Sequence, residues 1–404
     1  MNVLIADKLP AQTLKALDAL GLNIRVQPTL TAETLTTSVA DIHVLVVRST
    51  KVSEDVFKNG EQLQLVIRAG AGTNTIDCES AARHAVQVCN CPGKNAIAVA
   101  ELTLGLVLSL DRFIPDNVIS LRAGRWEKSK FGKGRGLAGR TFGVIGFGRI
   151  GSEVAHRAQS FGMNVVAWSR SLTKKQAKRH GVLRAKTIHE LATRSDVLSV
   201  HLPYSAGTHH LVGADVFDAL PEGALFVNAS RGGVVDDAAL LSAVRSGRLR
   251  AASDVFEEEP KGGHSTYDGP FRDLDGFYGT HHIGASTAQA QQATGDEVVR
   301  VLRRWLQTGE VLNCVNRGPR SPAKGQLIVR HLDRVGVLAS VLRVLSKADI
   351  NVKEMQNTIF GTTGSAVANI TLDAAPTEAV LEDVRSTCGD LLGLQWILSH
   401  DEPQ

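Results

Sequence analysis

Short apolar runs alternate with amphipathic stretches along residues 1–300 of the chain. Amphipathic segments such as 13–20 have the period of helices. The apolar runs have the length of buried strands, and they lie at 3–6, 43–47, 65–67, 85–88, 141–145, 164–168, 197–201, 224–228, 251–255 and 276–280. Because strands that alternate with helices form parallel sheets, this pattern predicts an α/β fold with two doubly wound, Rossmann-like lobes.

Two long helical segments and two polar stretches interrupt this series. Residues 95–110 and 286–307 each predict one long helix. The Gly- and Lys-rich stretch 122–140 predicts a surface loop, and the stretch 313–326, with several Pro and Gly and little apolar content, predicts a linker. The linker separates a large N-terminal part from a small C-terminal part.

The C-terminal part predicts a domain of its own. Its segments are a strand, a helix, two strands, a helix and a strand, at 326–330, 335–348, 351–360, 365–372, 377–388 and 392–398. This β-α-β-β-α-β order is the ferredoxin-like arrangement.

Composition limits the function classes without choosing one. The 404 residues carry 45 Lys and Arg against 41 Asp and Glu, a net charge of +4, which indicates neither a nucleic-acid partner nor a membrane surface. The longest apolar stretch, 96–110, contains Glu101 and is too short to span a membrane. The five Cys do not form a disulfide framework, and the single Cys89-x-Cys91 pair is not a metal motif. We therefore expect a reduced, cytoplasmic protein without a metal.

A glycine fingerprint lies where the first strand of the second lobe would turn into a helix. Residues 142–151, FGVIGFGRIG, place Gly146, Gly148 and Gly151 in a G-x-G-x-x-G pattern. Gly146 would allow a tight turn, Gly148 the approach of a pyrophosphate, and Gly151 close packing of helix against strand. The helix N-terminus, with Arg149 and Ile150, would face the phosphates. The segment predicts dinucleotide binding.

The end of the following strand bears on the choice between NAD and NADP. NAD sites usually place an acidic residue here to bind the ribose 2′-hydroxyl, whereas this chain has Ser169 and Arg170. Arg170 could pair with the 2′-phosphate of NADP. It could equally be a solvated helix start beside an NAD site that binds the ribose in another way. These residues leave both cofactors open.

Three later blocks carry candidate chemistry. Hydride transfer at a 2-hydroxy acid needs a cation for the carboxylate and carbonyl oxygen, a general acid–base, and a carboxylate that orients this base. The blocks NASRGGVVDDAAL, DVFEEEP and HHIGAST resemble those of the D-isomer-specific 2-hydroxyacid dehydrogenases. The resemblance implies that Arg231 binds substrate, that His282 is the acid–base, and that Glu259 holds its imidazole. His281, where the family commonly has Pro, is the alternative base.

The resemblance covers nearly the whole chain and implies further site residues. Besides the fingerprint, Arg231 and His282, it implies cofactor contacts by Leu202, Ala229, Ser230, Asp254, Gly284 and Ala285. The block LVVRSTKV resembles that of the family's 3-phosphoglycerate dehydrogenases, and the blocks RAGAGTNTID and NAIAVAE resemble those of the family in general. These blocks imply substrate contacts by Arg48, Gly70, Ala71, Gly72 and Asn95.

The segment QLIVRHLDRVGVL resembles the opening of an ACT domain, a small regulatory fold that binds amino acids. Gly336 would admit a ligand carboxylate to the helix N-terminus. Asp333 stands where serine-binding members have Asn. The resemblance implies an L-serine site formed by His331, Asp333, Gly336, Val337 and Asn351. An ACT unit that serves only oligomerisation is the alternative.

The resemblance implies an enzyme that oxidises 3-phospho-D-glycerate to 3-phosphohydroxypyruvate with NAD, the first step of L-serine biosynthesis, as a homo-oligomer (dimer or tetramer). The alternative enzyme is an NADP-linked glyoxylate or hydroxypyruvate reductase. The alternative of another class is a corepressor that binds NAD(H). The expected domains are a substrate-binding lobe (1–94 with 286–316), a cofactor lobe (95–285), a linker (317–325) and the ACT-like domain (326–404).

Overall fold

Two all-parallel sheets form the centre of the larger unit of the chain, Met1–Asn316. The computed structural model describes residues 1–260, 265–318, 324–361 and 364–398. The first sheet has five strands and the second has seven, and buried apolar clusters lie against each of them. The predicted α/β fold with doubly wound lobes is confirmed.

The first lobe is built on the five-stranded sheet. Its elements are β1 (Asn2–Ile5), α1 (Ala11–Asp18), β2 (Asn23–Val26), α2 (Ala32–Ser38), β3 (Val44–Val47), α3 (Glu54–Asn59), β4 (Leu65–Arg68), α4 (Cys78–Arg83) and β5 (Gln87–Asn90). The strand order is β2-β1-β3-β4-β5, so the order reverses between β1 and β3. Open α/β sheets bind ligands at the carboxyl ends of the strands beside such a reversal.

The second lobe is built on the seven-stranded sheet. Its elements are α5 (Ala96–Arg112), α6 (Ile114–Arg122), α7 (Lys128–Phe131), β6 (Thr141–Ile145), α8 (Arg149–Ser160), β7 (Asn164–Trp168), α9 (Lys174–Arg179), β8 (Leu183–Arg184), α10 (Ile188–Thr193), β9 (Val197–Val200), α11 (Ala214–Ala219), β10 (Ala224–Asn228), α12 (Asp237–Arg245), β11 (Leu249–Ser253) and β12 (Phe277–Gly279). The strand order β12-β11-β10-β9-β6-β7-β8 is that of a dinucleotide-binding sheet with one added strand.

Two long helices cross between the lobes. Helix α5 leaves the first lobe after β5 and packs against α8 and β10 of the second. Helix α13 (Ala288–Thr308) returns and packs against α1, where its Gly295 faces the buried Thr13. A Cβ at Gly295 would overlap the Thr13 side chain, so only glycine permits this approach. No described helix combines the length and apolar character that a membrane crossing requires.

The second unit, Arg317–Gln404, has a four-stranded antiparallel sheet with a core of its own. The elements are β13 (Gly325–Leu332), α14 (Val337–Lys347), β14 (Val352–Phe360), β15 (Ser365–Leu372), α15 (Glu378–Thr387) and β16 (Leu391–Leu398). The order β14-β15-β13-β16 is the predicted ferredoxin-like arrangement.

Some elements differ from the sequence prediction. Strand β2 was not predicted because, as an edge strand, it has no buried residue and shows no apolar run. Strand β11 begins at Leu249 and ends at Ser253, two residues earlier than predicted, because it pairs along the whole of β10 and therefore includes the charged Arg250. The predicted loop at 122–140 contains the short helix α7. Residues 319–323 of the predicted linker lie outside the described residues.

Candidate active site

Glu259, which follows β11, and His282, which follows β12, form a hydrogen-bonded pair. His282 Nδ1 lies 2.8 Å from Glu259 Oε2, and Glu259 Oε1 accepts the backbone N–H of Phe256 at 3.2 Å. The hydrogen bond to Glu259 raises the pKa of His282, although partial burial opposes it. Burial raises the pKa of Glu259, but the hydrogen bond and charge of His282 outweigh it and lower the pKa below its usual value. The pair therefore leaves His282 Nε2 as the nitrogen that can exchange a proton with a substrate.

Asp254 holds the loop that presents His282. Its side chain is 2% exposed. One carboxylate oxygen accepts the Thr280 hydroxyl at 2.6 Å and the Ile283 N–H at 2.8 Å, and the other accepts the Gly284 N–H at 2.8 Å. His282 has a φ of 52°, in the left-handed region that non-glycine residues seldom adopt. These bonds on both sides of His282 hold its backbone in that conformation.

Arg231 follows β10 and points towards the first lobe. Its Nη1 donates to the Ser230 carbonyl at 2.6 Å, and its own carbonyl accepts from Asn228 Nδ2 at 3.2 Å. Asn228 Oδ1 also accepts the N–H and hydroxyl of Ser230, at 3.0 and 2.8 Å. A Cβ at Gly72 would lie 3.3 Å from Arg231 Nη2. The guanidinium thus reaches the loop of the first lobe that follows β4.

Three arginine side chains converge between the lobes. Burial, and then the charges of Arg231 and Arg48, lower the pKa of Arg68. The Arg68 side chain lies over Gly70, where a Cβ would overlap its guanidinium. The nearby Asp7 carboxylate already accepts three backbone N–H groups of the segment that begins at Arg48, at 2.7, 3.1 and 3.1 Å. This excess of positive charge favours an anionic ligand.

A cavity of about 350 Å³ lies between these groups and the loop before α13. The sequence-predicted residues that line it are Arg48, Gly70, Ala71, Asn95, His282 and Ala285. Gly72, Arg231, Glu259 and His282 line an adjoining cavity. The structure thus brings the predicted substrate-binding and catalytic residues together. His281 lies beside His282, but the Glu259 carboxylate bonds the imidazole of His282.

The glycine fingerprint forms the turn from β6 to α8. Gly146 has a φ of 93°, and a Cβ there would lie 2.5 Å from the His201 carbonyl oxygen. A Cβ at Gly151 would overlap the carbonyl of Gly146, so glycine is required for α8 to approach the strand. A Cβ at Gly148 would meet nothing within 4 Å, so the space over the N-terminus of α8 is open. These features fit a pyrophosphate at the helix N-terminus.

The other predicted cofactor residues lie at the same edge of the seven-stranded sheet. Leu202 follows β9, Ala229 and Ser230 follow β10, and Ser169 and Arg170 follow β7. Ala229 and Ser230 are buried, whereas Arg170 is exposed.

The two predicted residues of α8 lie near the same edge. Ile150 is half-buried, and the Arg149 side chain reaches Gly93, which lies in the segment between β5 and α5. Because parallel strands end together at one edge, residues distant in sequence form one surface here.

Comparisons with known proteins agree with this geometry. The profile "D-isomer specific 2-hydroxyacid dehydrogenase, NAD binding domain" matches residues 104–299. The D-3-phosphoglycerate dehydrogenase of Methanocaldococcus jannaschii is 40% identical over 80% of this chain and 60% of its own length. The hydroxypyruvate reductase of Thermotoga maritima is 39% identical over 66% of this chain and 86% of its own length. The chain belongs to the D-isomer-specific 2-hydroxyacid dehydrogenase family.

Solved structures of 2-hydroxyacid dehydrogenases share this fold. The NAD⁺-bound 3-phosphoglycerate dehydrogenase of Entamoeba histolytica superposes with a TM-score of 0.65 at 26% identity, and covers 79% of this chain and 99% of its own. The matched NAD-binding domain begins inside α5, ends inside α13 and contains the whole seven-stranded sheet. NAD is confirmed as the cofactor of this family's domain. The chain spans 60% and 64% of the length of two archaeal D-3-phosphoglycerate dehydrogenases that it matches.

Several residues that line these cavities were not predicted. Lys8 follows the end of β1, and Arg68 is the last residue of β4. Gln291 and Thr294 lie in the first turns of α13. The rule that ligands meet the carboxyl ends of parallel strands would have found Lys8 and Arg68. No sequence signal brings the helix residues to the cavity, because their position depends on where α13 returns.

The residues predicted to bind L-serine have separate partners in the second unit. His331 is 2% exposed, and its Nε2 lies 3.2 Å from Asn357 Oδ1. The Asp333 N–H donates to the Gly364 carbonyl, and the Asn351 N–H donates to an Asp373 carboxylate oxygen. Gly336 has a φ of 91° and begins α14 together with Val337. The serine site stays a prediction.

Proposed function

We propose that this chain is an NAD-dependent dehydrogenase that oxidises 3-phospho-D-glycerate to 3-phosphohydroxypyruvate, the first step of L-serine biosynthesis. The observation that carries the proposal is the convergence of three arginines on two adjoining cavities. Arg48 and Arg68 line the first, whose described lining residues include no carboxylate, and Arg68 and Arg231 line the second. A phosphorylated 2-hydroxy acid has two anionic groups, and guanidinium groups bind both carboxylate and phosphate. Relatives named D-3-phosphoglycerate dehydrogenase, 36 to 40% identical, support it.

The site divides the chemistry among a few side chains. Arg231 binds the substrate carboxylate and stabilises charge on the carbonyl oxygen that forms. Arg48 and Arg68 bind the phosphate. His282 Nε2 takes the hydroxyl proton, and Glu259 stabilises the resulting imidazolium through the 2.8 Å bond to Nδ1. NAD supplies the hydride acceptor when it is bound. Asp254 positions the loop that carries His282.

Phosphate dependence tests this proposal. We would follow nicotinamide absorbance with purified protein, using 3-phospho-D-glycerate and D-glycerate as substrates. We expect turnover with the phosphorylated acid and a much lower kcat/KM with D-glycerate. Arg48→Gln should raise KM for the phosphorylated acid and leave D-glycerate kinetics nearly unchanged. Equal use of both acids would overturn the phosphate assignment.

A glyoxylate or hydroxypyruvate reductase that uses NADPH is the second candidate. Two observations favour it. The Thermotoga maritima relative is named hydroxypyruvate reductase, and Ser169 and the exposed Arg170 follow β7 where NAD sites usually have an acidic residue. Reduction of hydroxypyruvate or glyoxylate with NADPH, without oxidation of the phosphorylated acid, would establish this candidate.

We further propose that the second unit is an ACT-type domain that binds L-serine, and that the protein is a cytoplasmic homo-oligomer. The ferredoxin-like strand order and the left-handed Gly336 at the start of α14 support the domain assignment. The five free cysteines support a reducing compartment. L-Serine titration followed by intrinsic Trp fluorescence tests the ligand, with L-alanine as control. A unit that serves only oligomerisation would respond to neither.

A further inference from the structure

Two histidines and a glutamate meet beside the candidate active site without a role in the proposed chemistry. His209 and His210 follow β9 and the short 3-10 turn Ala206–Thr208, and Glu257 follows β11. One ligand atom from each residue lies within 4.8 Å of the others. All three side chains are exposed, so a small solute can reach them.

Backbone contacts set the two imidazoles in a defined arrangement. His209 Nδ1 lies 3.3 Å from the Gly233 carbonyl oxygen. Because a carbonyl can only accept, this contact favours the tautomer of the neutral ring that has its proton on Nδ1 and its lone pair on Nε2. Metal-binding histidines commonly have this arrangement, with one ring nitrogen bonded to a carbonyl and the other on the metal. The His210 backbone N–H donates to the same carbonyl at 3.0 Å.

The remaining two side chains complete the cluster. His210 Nε2 contacts Glu257 Oε1 directly, and the ring of His210 stacks on that of His209 with centroids 3.9 Å apart. His210 has a φ of 49°, so the chain holds a non-glycine residue in the left-handed region to present this ring. The Glu257 backbone is fixed by its N–H bond to Asp237 at 3.1 Å.

We propose that His209, His210 and Glu257 form a binding site for a divalent transition-metal ion, of which Zn²⁺ is the natural representative. Two imidazole nitrogens and one carboxylate oxygen are a donor set that Zn²⁺ and its neighbours accept in tetrahedral geometry, with water as the fourth ligand. Mg²⁺ and Ca²⁺ prefer all-oxygen sites and are disfavoured. No local motif marks this site in the sequence, because Glu257 is 47 residues from His210.

The position of the site sets what the metal would touch. His209 and Glu257 line the same cavity as Arg231, Glu259 and His282. A bound ion would join the loop after β9 to the loop after β11, which carries Glu259 two residues further on. The site is separate from the proton-transfer pair, because neither His282 nor Glu259 belongs to the cluster.

Metal titration of the full-length, tag-free, chelator-stripped protein tests the proposal. Co²⁺ should give visible absorption of the intensity typical of four-coordinate sites, saturating at one ion per chain. Zn²⁺ should displace it, and competition with a chromogenic chelator gives the Zn²⁺ affinity. His209→Gln and Glu257→Gln should each weaken Zn²⁺ binding by about tenfold or more. The matched control is His189→Gln, an exposed histidine on α10 outside the cluster, which should bind as the wild type does.

Two results would overturn the proposal: wild-type protein that gives no four-coordinate Co²⁺ spectrum, or variants that bind Zn²⁺ as tightly as the wild type. Circular dichroism and NAD binding show that the variants are folded. Because metal uptake is measured without turnover, its failure is distinguishable from failure of the dehydrogenase assignment.

Discussion

At the residue scale, the His282–Glu259 pair predicts how the reaction depends on pH. Oxidation needs a neutral base, so the rate should rise with pH through the pKa of His282, which the bond to Glu259 raises above its usual value of about 6.5. Glu259→Gln removes the main cause of that elevation. The acidic limb of kcat/KM should therefore move to lower pH, and kcat should fall roughly 10–100-fold, since acid–base catalysis contributes about 10²–10⁴.

The neighbouring histidine provides the control for that profile. His281 is exposed, and the Glu259 carboxylate bonds His282, so His281→Asn should leave the acidic limb of kcat/KM where it is. An unchanged limb in Glu259→Gln, or a shifted limb in His281→Asn, would show that His282 is not the base.

Candidate site residues could be predicted from the sequence where a local motif carries them. Arg231, Glu259 and His282 lie in blocks with a recognisable order, and the structure brings them to adjoining cavities. Asp254 was predicted as a cofactor contact, yet its oxygens hold the 280–284 loop, a role that depends on tertiary contacts with residues 26 to 30 positions away. Such long-range bonds leave no local pattern in a single sequence.

At the element scale, the start of α8 predicts different effects for two glycines of one motif. An Ala at Gly148 meets no atom within 4 Å and a φ of −93° suits it, so the protein should keep its Tm while KM for NAD rises about tenfold from crowding of the pyrophosphate. An Ala at Gly151 overlaps the Gly146 carbonyl and should cost about 1–3 kcal/mol of stability. Thermal melts and NAD kinetics of both variants test this. A destabilised Gly148→Ala would contradict it.

Glu297, which is 3% exposed, connects helix α13 to the segment before α5 and to the segment that follows α13 itself. It accepts bonds from Arg300 and from Asn313 at 2.9 Å and pairs with Lys94 at 3.2 Å. The Arg300 bond is the main cause that lowers the pKa of Glu297 to about 2, against the effect of burial. Glu297→Gln should lose about 3 kcal/mol of the free energy of unfolding at neutral pH.

The sign of this effect with pH follows from the lowered pKa. The stabilisation by the Glu297 carboxylate is complete above its unfolded-state pKa of 4.5 and is lost as pH falls towards 2. The difference in free energy of unfolding between the wild type and Glu297→Gln should therefore narrow between these two pH values. Urea unfolding at several pH values measures it. Glu310→Gln, which breaks the half-exposed pair with Arg304, is the control and should cost little at any pH. If this difference in free energy of unfolding stayed constant with pH, the destabilisation would come from lost packing and not from the lost charge.

The central strands could be predicted from the sequence because a strand that is buried on both faces consists of consecutive apolar residues. The centre of both sheets, such as β3 with four fully buried residues, was found from the sequence. Two edge strands were not: β2 has no buried residue, and β8 is two exposed residues long. Edge strands receive their hydrogen bonds from one neighbour and need no apolar face, so their pattern resembles that of a loop.

At the scale of the whole molecule, the two units have separate cores, and the end of the first is firmly anchored. The Asn316 side chain accepts the Val88 N–H and donates to the Val86 carbonyl, each at 2.8 Å, and the Val315 N–H donates to the Val88 carbonyl at 2.8 Å. Residues 313–316 thus cover the free edge of β5. A chain that ends at Asn316 should keep this edge closed.

We therefore expect residues 1–316 to oxidise 3-phospho-D-glycerate at a rate close to that of the full chain and to lose any response to L-serine. Residues 1–312 are the matched control: without the strand-like cover and the Asn313 bond to Glu297, they should melt at a lower temperature and lose activity on warming. Steady-state kinetics with and without L-serine, together with thermal melts, compare the three chains. A serine response retained by 1–316 would place the effector site in the dehydrogenase lobes instead of in the ferredoxin-like unit.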